Sequence, residues 1–315
     1  MISRRSLLQS SLAVSGAAVL PVVAAADSPV AVQPVRFCLN TSTVRGQKLS
    51  VPQQIDLAAT SGYDAIEPWI RDLDAYVEQG GRLPDLKKRL DDAGLAVASA
   101  IGFAEWIVDD DDRRRAGLET MRRDMQTLAA IGGSHIAAPP IGMHMPDSPP
   151  IDLDAAGERY AAVLDLGREL GVTPQLEVWG FSPNLSKLAE VLYVAAAAAR
   201  ADACVLPDIY HLHRGGNSFD SIGMLSGAAV HCFHLNDITM ADDPSTLTDA
   251  DRVYPGRGDA PIATVLRTLA ASGFDGVLSL ELFNKDYWQQ PAGQVARTGL
   301  DAMKSVAREA GLKVA

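Results

Sequence analysis

The sequence predicts an α/β fold, a single (β/α)8 or TIM barrel, on three observations. Amphipathic runs alternate with short apolar runs along the chain, the amphipathic runs mostly end in Gly, and the apolar runs show almost no polar alternation. A Gly at a helix end takes the left-handed conformation that turns the chain back toward a strand. Continuous apolar strands are what a parallel sheet buried on both faces requires.

The first strand is "VRFCLN". Helix "VPQQIDLAATSG" leads to "YDAIEPW", "LPDLKKRLDDAG" to "LAVASAIGF", "RRRAGLETMRRDMQTLAAIGG" to "SHIAAPP", and "LDAAGERYAAVLDLGRELG" to "VTPQLEVW". "NLSKLAEVLYVAAAAARAD" leads to "ACVLPDIYH", "SFDSIGMLSG" to "AAVHCFHLND", and "APIATVLRTLAASG" to "FDGVLSLELF", before a last helix "AGQVARTGLDAMKSVAREAG". Eight strands and eight helices in strict alternation over roughly 280 residues fit one barrel. An open doubly wound sheet is the alternative, but "NTSTVRGQKLS" after the first strand holds a single Gly and no phosphate-binding fingerprint. No linker divides residues 27–315 into two domains.

Residues 1–26 read as a cleaved signal peptide: Arg4–Arg5, an Ala-rich apolar run and a small-residue cleavage site after Ala26 resemble a twin-arginine export signal. The alternative, a membrane anchor, is disfavoured by the shortness of the run and its Ala, Gly and Ser content. A periplasmic or secreted protein follows. Removing those residues takes away two arginines and no acids, and the formal charge goes from −11 to −13. So acidic a chain is a poor ligand for a phosphate backbone, and nothing after residue 30 could remain inserted in a membrane. Cys38, Cys204 and Cys232 sit in apolar runs and read as small buried hydrophobes rather than a disulfide framework. The expected partner is a small carbohydrate, with a homo-oligomer left open.

Function in such a barrel gathers where the C-terminal ends of the strands converge. Strand five ends at Glu177, strand six at Asp208, strand seven at His234 and strand eight at Glu281. Each alone reads as a helix cap or a loop ion-pair partner. Four on adjacent strands point instead to a shared site, because three unpaired carboxylates in a low-dielectric mouth would repel until one took up a proton. A divalent cation resolves that conflict. Oxygen-rich ligands with one nitrogen and no thiolate favour Mn²⁺, with Mg²⁺, Co²⁺ or Zn²⁺ as alternatives.

The phrases "LEVWG", "LPDIYHLHRGG", "FHLNDI", "YPGRGDAPIATVL" and "GVLSLELF" carry a resemblance to the xylose isomerase-like superfamily of sugar isomerases and epimerases. That resemblance implies one metal held by Glu177, Asp208, His234 and Glu281, and Glu177 and Glu281 as the acid–base pair on either side of the reacting carbon. A metal chelated by carbonyl and hydroxyl oxygens acidifies the adjacent C–H and stabilises an enediolate. Return of the proton to the opposite face gives epimerisation, return to the next carbon gives isomerisation, and loss of a β-substituent makes the same site a lyase or hydratase of keto-sugars or keto-glycosides. A non-catalytic periplasmic sugar-binding protein is the third reading, although a pure binder needs no pair of opposed carboxylates.

Further substrate contacts are expected from His211, three residues after Asp208, from Glu67 at the end of strand two, and from Trp106 and Trp179, whose faces can stack on sugar C–H surfaces. Trp69 and Trp288 also follow strands. His213 reads as a loop residue and His231 as packing at the foot of strand seven. Asn236 and Asp237 begin the loop after that strand, where they can orient the imidazole or touch substrate. Sugar epimerases of this group place an arginine shortly beyond the strand-seven His and a second glutamate after the strand-five one. Met240 and Ser182–Pro183 occupy those neighbourhoods here, and Arg257 in "PGRGD" is the substitute cation expected from the next loop.

Overall fold

A computed structural model describes residues 34–314, so the export segment expected at 1–26 lies outside the described residues. Among those residues, eight parallel strands form the inner layer: β1 (Arg36–Asn40), β2 (Ala65–Glu67), β3 (Ala96–Val97), β4 (His135–Ala138), β5 (Thr173–Glu177), β6 (Val205–Leu206), β7 (Cys232–Leu235) and β8 (Val277–Leu280). The covering helices are α1 (Val51–Ser61), α2 (Ile70–Glu78), α3 (Leu83–Asp92), α4 (Asp111–Ala130), α5 (Leu153–Leu170), α6 (Leu188–Ala197), α7 (Ile209–Arg214), α8 (Ile262–Ala271) and α9 (Ala292–Glu309).

Two ladders, β3-β2-β1-β8-β7 and β4-β5-β6, are sewn into a ring. At one seam the Ala100 amide donates to the His135 carbonyl (3.1 Å) and Ala137 donates to Ala100 (2.9 Å). At the other, the His234 amide donates to the Pro207 carbonyl (3.0 Å) and Asp208 pairs with His234. The ring closes, as the alternation of elements predicts.

Period two explains why the strands look uniformly apolar yet carry a polar centre. Phe37, Leu39, Ile66, Ile136, Leu176, Phe233, Leu235, Leu278 and Leu280 join the large core between strands and helices. Their alternate neighbours form a second, smaller cluster that includes Cys38, Ala65, Ala137, Leu206, Cys232 and Val277. These are mostly small, as the barrel axis demands. One more step of two along each strand brings Asn40, Glu67, Asp208 and His234 into the same column, all wholly buried. The polar residues are thus the top layer of the barrel's own packing. All three cysteines are buried free thiols.

Two stretches depart from strict alternation. Between β2 and β3 the chain makes two helices, because Gly80–Gly81 stop α2 and Pro84 opens α3. Between β6 and β7, "SFDSIGMLSG" forms no α-helix but 3-10 turns at Phe219–Met224 and Gly227–Ala229, preceded by the six-residue α7. A Cβ on Gly227 would lie 2.1 Å from the Phe274 amide nitrogen, so the turns pack tightly on the α8–β8 connection.

Most helix ends carry a left-handed Gly, for example Gly62 (φ 91°) after α1 and Gly171 (φ 71°) after α5. After α6 the left-handed residue is the exposed Ala199 (φ 50°), where an L side chain costs about 1 kcal/mol. Ala199→Gly should raise the melting temperature by about 2 °C in thermal unfolding, with activity unchanged.

Candidate active site

Glu177, Asp208, His234 and Glu281 converge at the C-terminal ends of β5 to β8. Around His234 Nδ1 stand Glu281 Oε2 at 3.2 Å, Asp208 Oδ2 at 3.8 Å and Glu177 Oε1 at 4.0 Å. All four side chains are buried, and His234 Nδ1 and Glu177 Oε2 have no hydrogen-bond partner. Asp208, His234 and Glu281 offer donor atoms within 4.8 Å of one another. Orphaned buried polar atoms are rare, and here they sit on two members of a set whose chemistry suits a divalent cation. The residues therefore fit a metal, with Glu177, Asp208, His234 and Glu281 as its holders.

Asp208, Glu281 and His234 are fixed from behind. Asp208 caps α7, accepting from the His211 amide at Oδ1 (2.8 Å), while Asn236 Nδ2 donates to its Oδ2 (2.9 Å). Asn236 is itself fixed by the Tyr210 amide (3.0 Å). Asn40 Nδ2 donates to Glu281 Oε1 (3.2 Å) and to Glu67 Oε2 (2.9 Å). Asp237 organises the neighbouring loop by accepting the amides of Ile238, Gly256, Gly258 and Ala260.

The electrostatics separate the two glutamates. Burial above all pushes the Glu177 carboxyl up to about 8, with Glu281 and Asp208 adding to the effect against His234. Glu281 is buried too, yet His234 and Arg252 hold it well below the usual carboxylate range. Burial raises Asp208, opposed by Arg252. Burial alone would lower His234, but Glu281 and Glu67 hold it well above the ordinary imidazole value. A cation held by this set would compete with the proton on His234, so metal uptake would be coupled to proton release.

The other expected contacts divide. Trp179 lines a cavity of about 270 Å³ above the cluster, and so does His211, whose Nδ1 accepts the Gly180 amide (3.2 Å). Gly180 is required there: a Cβ would meet the His211 carbonyl at 2.2 Å. Glu67 does not face the cavity. It lies beneath His234, with its carboxylate 3.1 Å from Nε2, and also accepts from Ser279 Oγ (2.7 Å), so the reading of Glu67 as a substrate contact is corrected. A carboxylate on the far nitrogen fixes the tautomer and raises the basicity of a ligating imidazole. Trp106 is likewise corrected. It is fully buried, donating Nε1 to the Pro139 carbonyl (2.9 Å) and packing on Tyr160, because the apolar run after β3 turns into the core.

Arg257 is exposed on the outer surface beside α9, and the cation at the site is Arg252. Its Nη1 donates to Asp208 Oδ2 (2.8 Å) and Glu281 Oε2 (2.7 Å), its Nη2 donates to Asp249 Oδ1 (2.8 Å), and its guanidinium lies 4.4 Å over the Tyr210 ring. An antiparallel pairing of Asp237 with Val253 turns Arg252 inward. The available signal was a lone Arg opening the apolar "RVYP" after an acidic turn. His231 packs on His135 at the barrel foot with the rings tilted by 30° (4.4 Å), and His213 stacks on Phe219 away from the cluster.

Comparison with known proteins gives a consistent result. The inosose isomerase of Bacillus velezensis is 24% identical over 285 residues, which cover 89% of this chain and 100% of that protein. The 3-dehydroshikimate dehydratase of Pseudomonas putida is 22% identical over 274 residues, covering 84% of this chain and 41% of the dehydratase. The crystal structure of the IolI protein with a bound zinc atom superposes with a TM-score of 0.79 at 21% identity, covering 87% of this chain and 99% of that one. That likeness speaks for the fold. A family model described as xylose isomerase-like TIM barrel matches residues 55–306, most of the barrel, and the chain belongs to that family.

Proposed function

We propose that this protein is a divalent-metal-dependent isomerase or epimerase of an unphosphorylated sugar or keto-sugar, with Glu177 and Glu281 as its acid–base pair. The observation that carries this reading is two buried carboxyls of opposite tuning, from β5 and β8, both within 4.0 Å of His234 Nδ1 and lining an aromatic-walled cavity. Pairs of titratable groups pushed apart by their surroundings mark acid and base roles.

A metal held by Glu177, Asp208, His234 and Glu281, Mn²⁺ by this oxygen-rich set, supplies Lewis acidity that weakens the C–H bond beside a carbonyl. One glutamate removes that proton at a carboxylate oxygen, and the other returns a proton to the opposite face or the neighbouring carbon. Trp179 holds the ring face and excludes water. Arg252 keeps Asp208 and Glu281 oriented through its two Nη1 contacts. The inosose isomerase relatives support the reading. The dehydratase relative favours a second one, in which the same base removes the proton and a β-substituent leaves. Arg4–Arg5 and the apolar run after it support export of the enzyme.

A panel of keto-sugars, inosose and 3-keto-glycosides incubated in D₂O with Mn²⁺ separates these readings. Solvent deuterium at one carbon without bond loss is expected. Release of an aglycone or of water would move the assignment to the lyase, and tight binding with no exchange on any member would make the protein a binder.

A further inference from the structure

Arg45 lies in the 3-10 segment Thr41–Gln47 that follows β1, and it lines the same cavity as Glu177 and Glu281. Its guanidinium sits 3.8 Å over the Trp69 ring and 5.2 Å from that of Phe283. Among the described residues, no carboxylate comes within 4.0 Å of it, and none of its side-chain N–H groups is hydrogen-bonded; Nη2 is buried with no partner. The carboxylates that act on it from a distance are Asp72, Glu281 and Asp249. Its neighbours are served differently. Arg252 is ion-paired with Asp208, Glu281 and Asp249, and Arg71, also over Trp69 at 4.3 Å, has Asp72 at 3.8 Å.

Arg45 is half-buried, and a guanidinium with one N–H group buried and unpartnered and no counter-ion is costly unless something it binds restores the balance. Burial, with Arg71 behind it, already pushes the Arg45 pKa down to about 10. Stacking on Trp69 fixes the plane of the guanidinium and leaves its N–H edge available, an arrangement suited to the two oxygens of a carboxylate. A phosphate dianion fits less well, since Asp249 and Glu281 also line the cavity.

We propose that Arg45 is the specificity-determining anchor for a carboxylate on the substrate, so that the preferred substrate is an acidic sugar or cyclic keto acid rather than a neutral sugar. This rests on the isomerase or lyase reading of the same cavity and narrows its substrate class.

Calorimetric titration of the Mn²⁺-loaded full chain with matched pairs tests it: D-glucuronate against D-glucose, and 3-dehydroshikimate against its methyl ester, with glucose 6-phosphate as a third arm. The acid of at least one pair should bind about 10-fold or more tightly than its neutral partner. In Arg45→Met that preference should fall below about two-fold, Arg45→Lys should keep part of it, and unchanged affinity for the neutral partner reports a folded variant. No acid preference in any pair, a preference that survives Arg45→Met, or tighter binding of the phosphate ester would overturn the proposal. Deuterium exchange reads the reaction separately. Exchange on neutral sugars without acid preference sinks only the anchor, whereas acid preference without exchange on any substrate sinks only the isomerase and lyase assignment.

Discussion

Glu281→Gln should reduce solvent deuterium exchange by at least about 10³-fold, the scale on which a positioned acid–base group acts. The substitution keeps the shape of the side chain and an oxygen for Arg252 Nη1, which donates to Glu281 at 2.7 Å. It removes the charge that His234 and Arg252 stabilise and the capacity to accept a proton. Because Glu281 is also placed to hold the metal, the measurement is made across a range of Mn²⁺ concentrations. Excess metal should fail to restore exchange, while binding of the keto-sugar persists. Turnover within ten-fold of the parent at saturating metal would remove the two-glutamate mechanism.

Glu67→Gln should weaken Mn²⁺ binding by about 10- to 100-fold in calorimetric titration and leave turnover at saturating metal within a few-fold of the parent. Glu67 is completely buried, 3.1 Å from His234 Nε2, and touches nothing in the cavity. Its charge polarises the imidazole, and a Gln that keeps its oxygen toward Asn40 Nδ2 and Ser279 Oγ, which both donate to Oε2, turns its neutral NH2 group toward His234 Nε2 and Cys232 Sγ. Unchanged affinity for the metal would reduce Glu67 to a packing group of the barrel axis.

What could be read from the sequence follows from which interactions are local. The barrel is legible because helix ends and strand burial leave short-range marks, such as Gly62 after α1 and the mostly apolar run of β7. The four central residues were legible because each stands at or just beyond the end of an apolar strand. Period two within a strand decides inward from outward, yet it does not say which way a long side chain turns, so nothing local shows that Glu67, at the end of β2, lays its carboxylate on His234 Nε2 instead of along the cavity wall. Trp106 failed similarly, since nothing local distinguishes a tryptophan at a rim from one folded under it. Arg252 and Arg257 are five residues apart in one loop. The choice between them is made by the long-range pairing of Asp237 with Val253 and by Asp237 gathering the amides of Gly256 and Gly258, neither of which has a periodic signature. Ala199 shows the reverse, an ordinary residue holding a conformation that a Gly would have announced.

The measurement that bears most directly on a single metal centre driving proton transfer is a titration of chelator-stripped protein with Mn²⁺, following the deuterium exchange rate on a responsive keto-sugar in D₂O. The rate should be negligible without metal, rise linearly and break at one equivalent, with no comparable rise in His234→Ala. Exchange that survives chelation, or a break at two equivalents, would contradict the account.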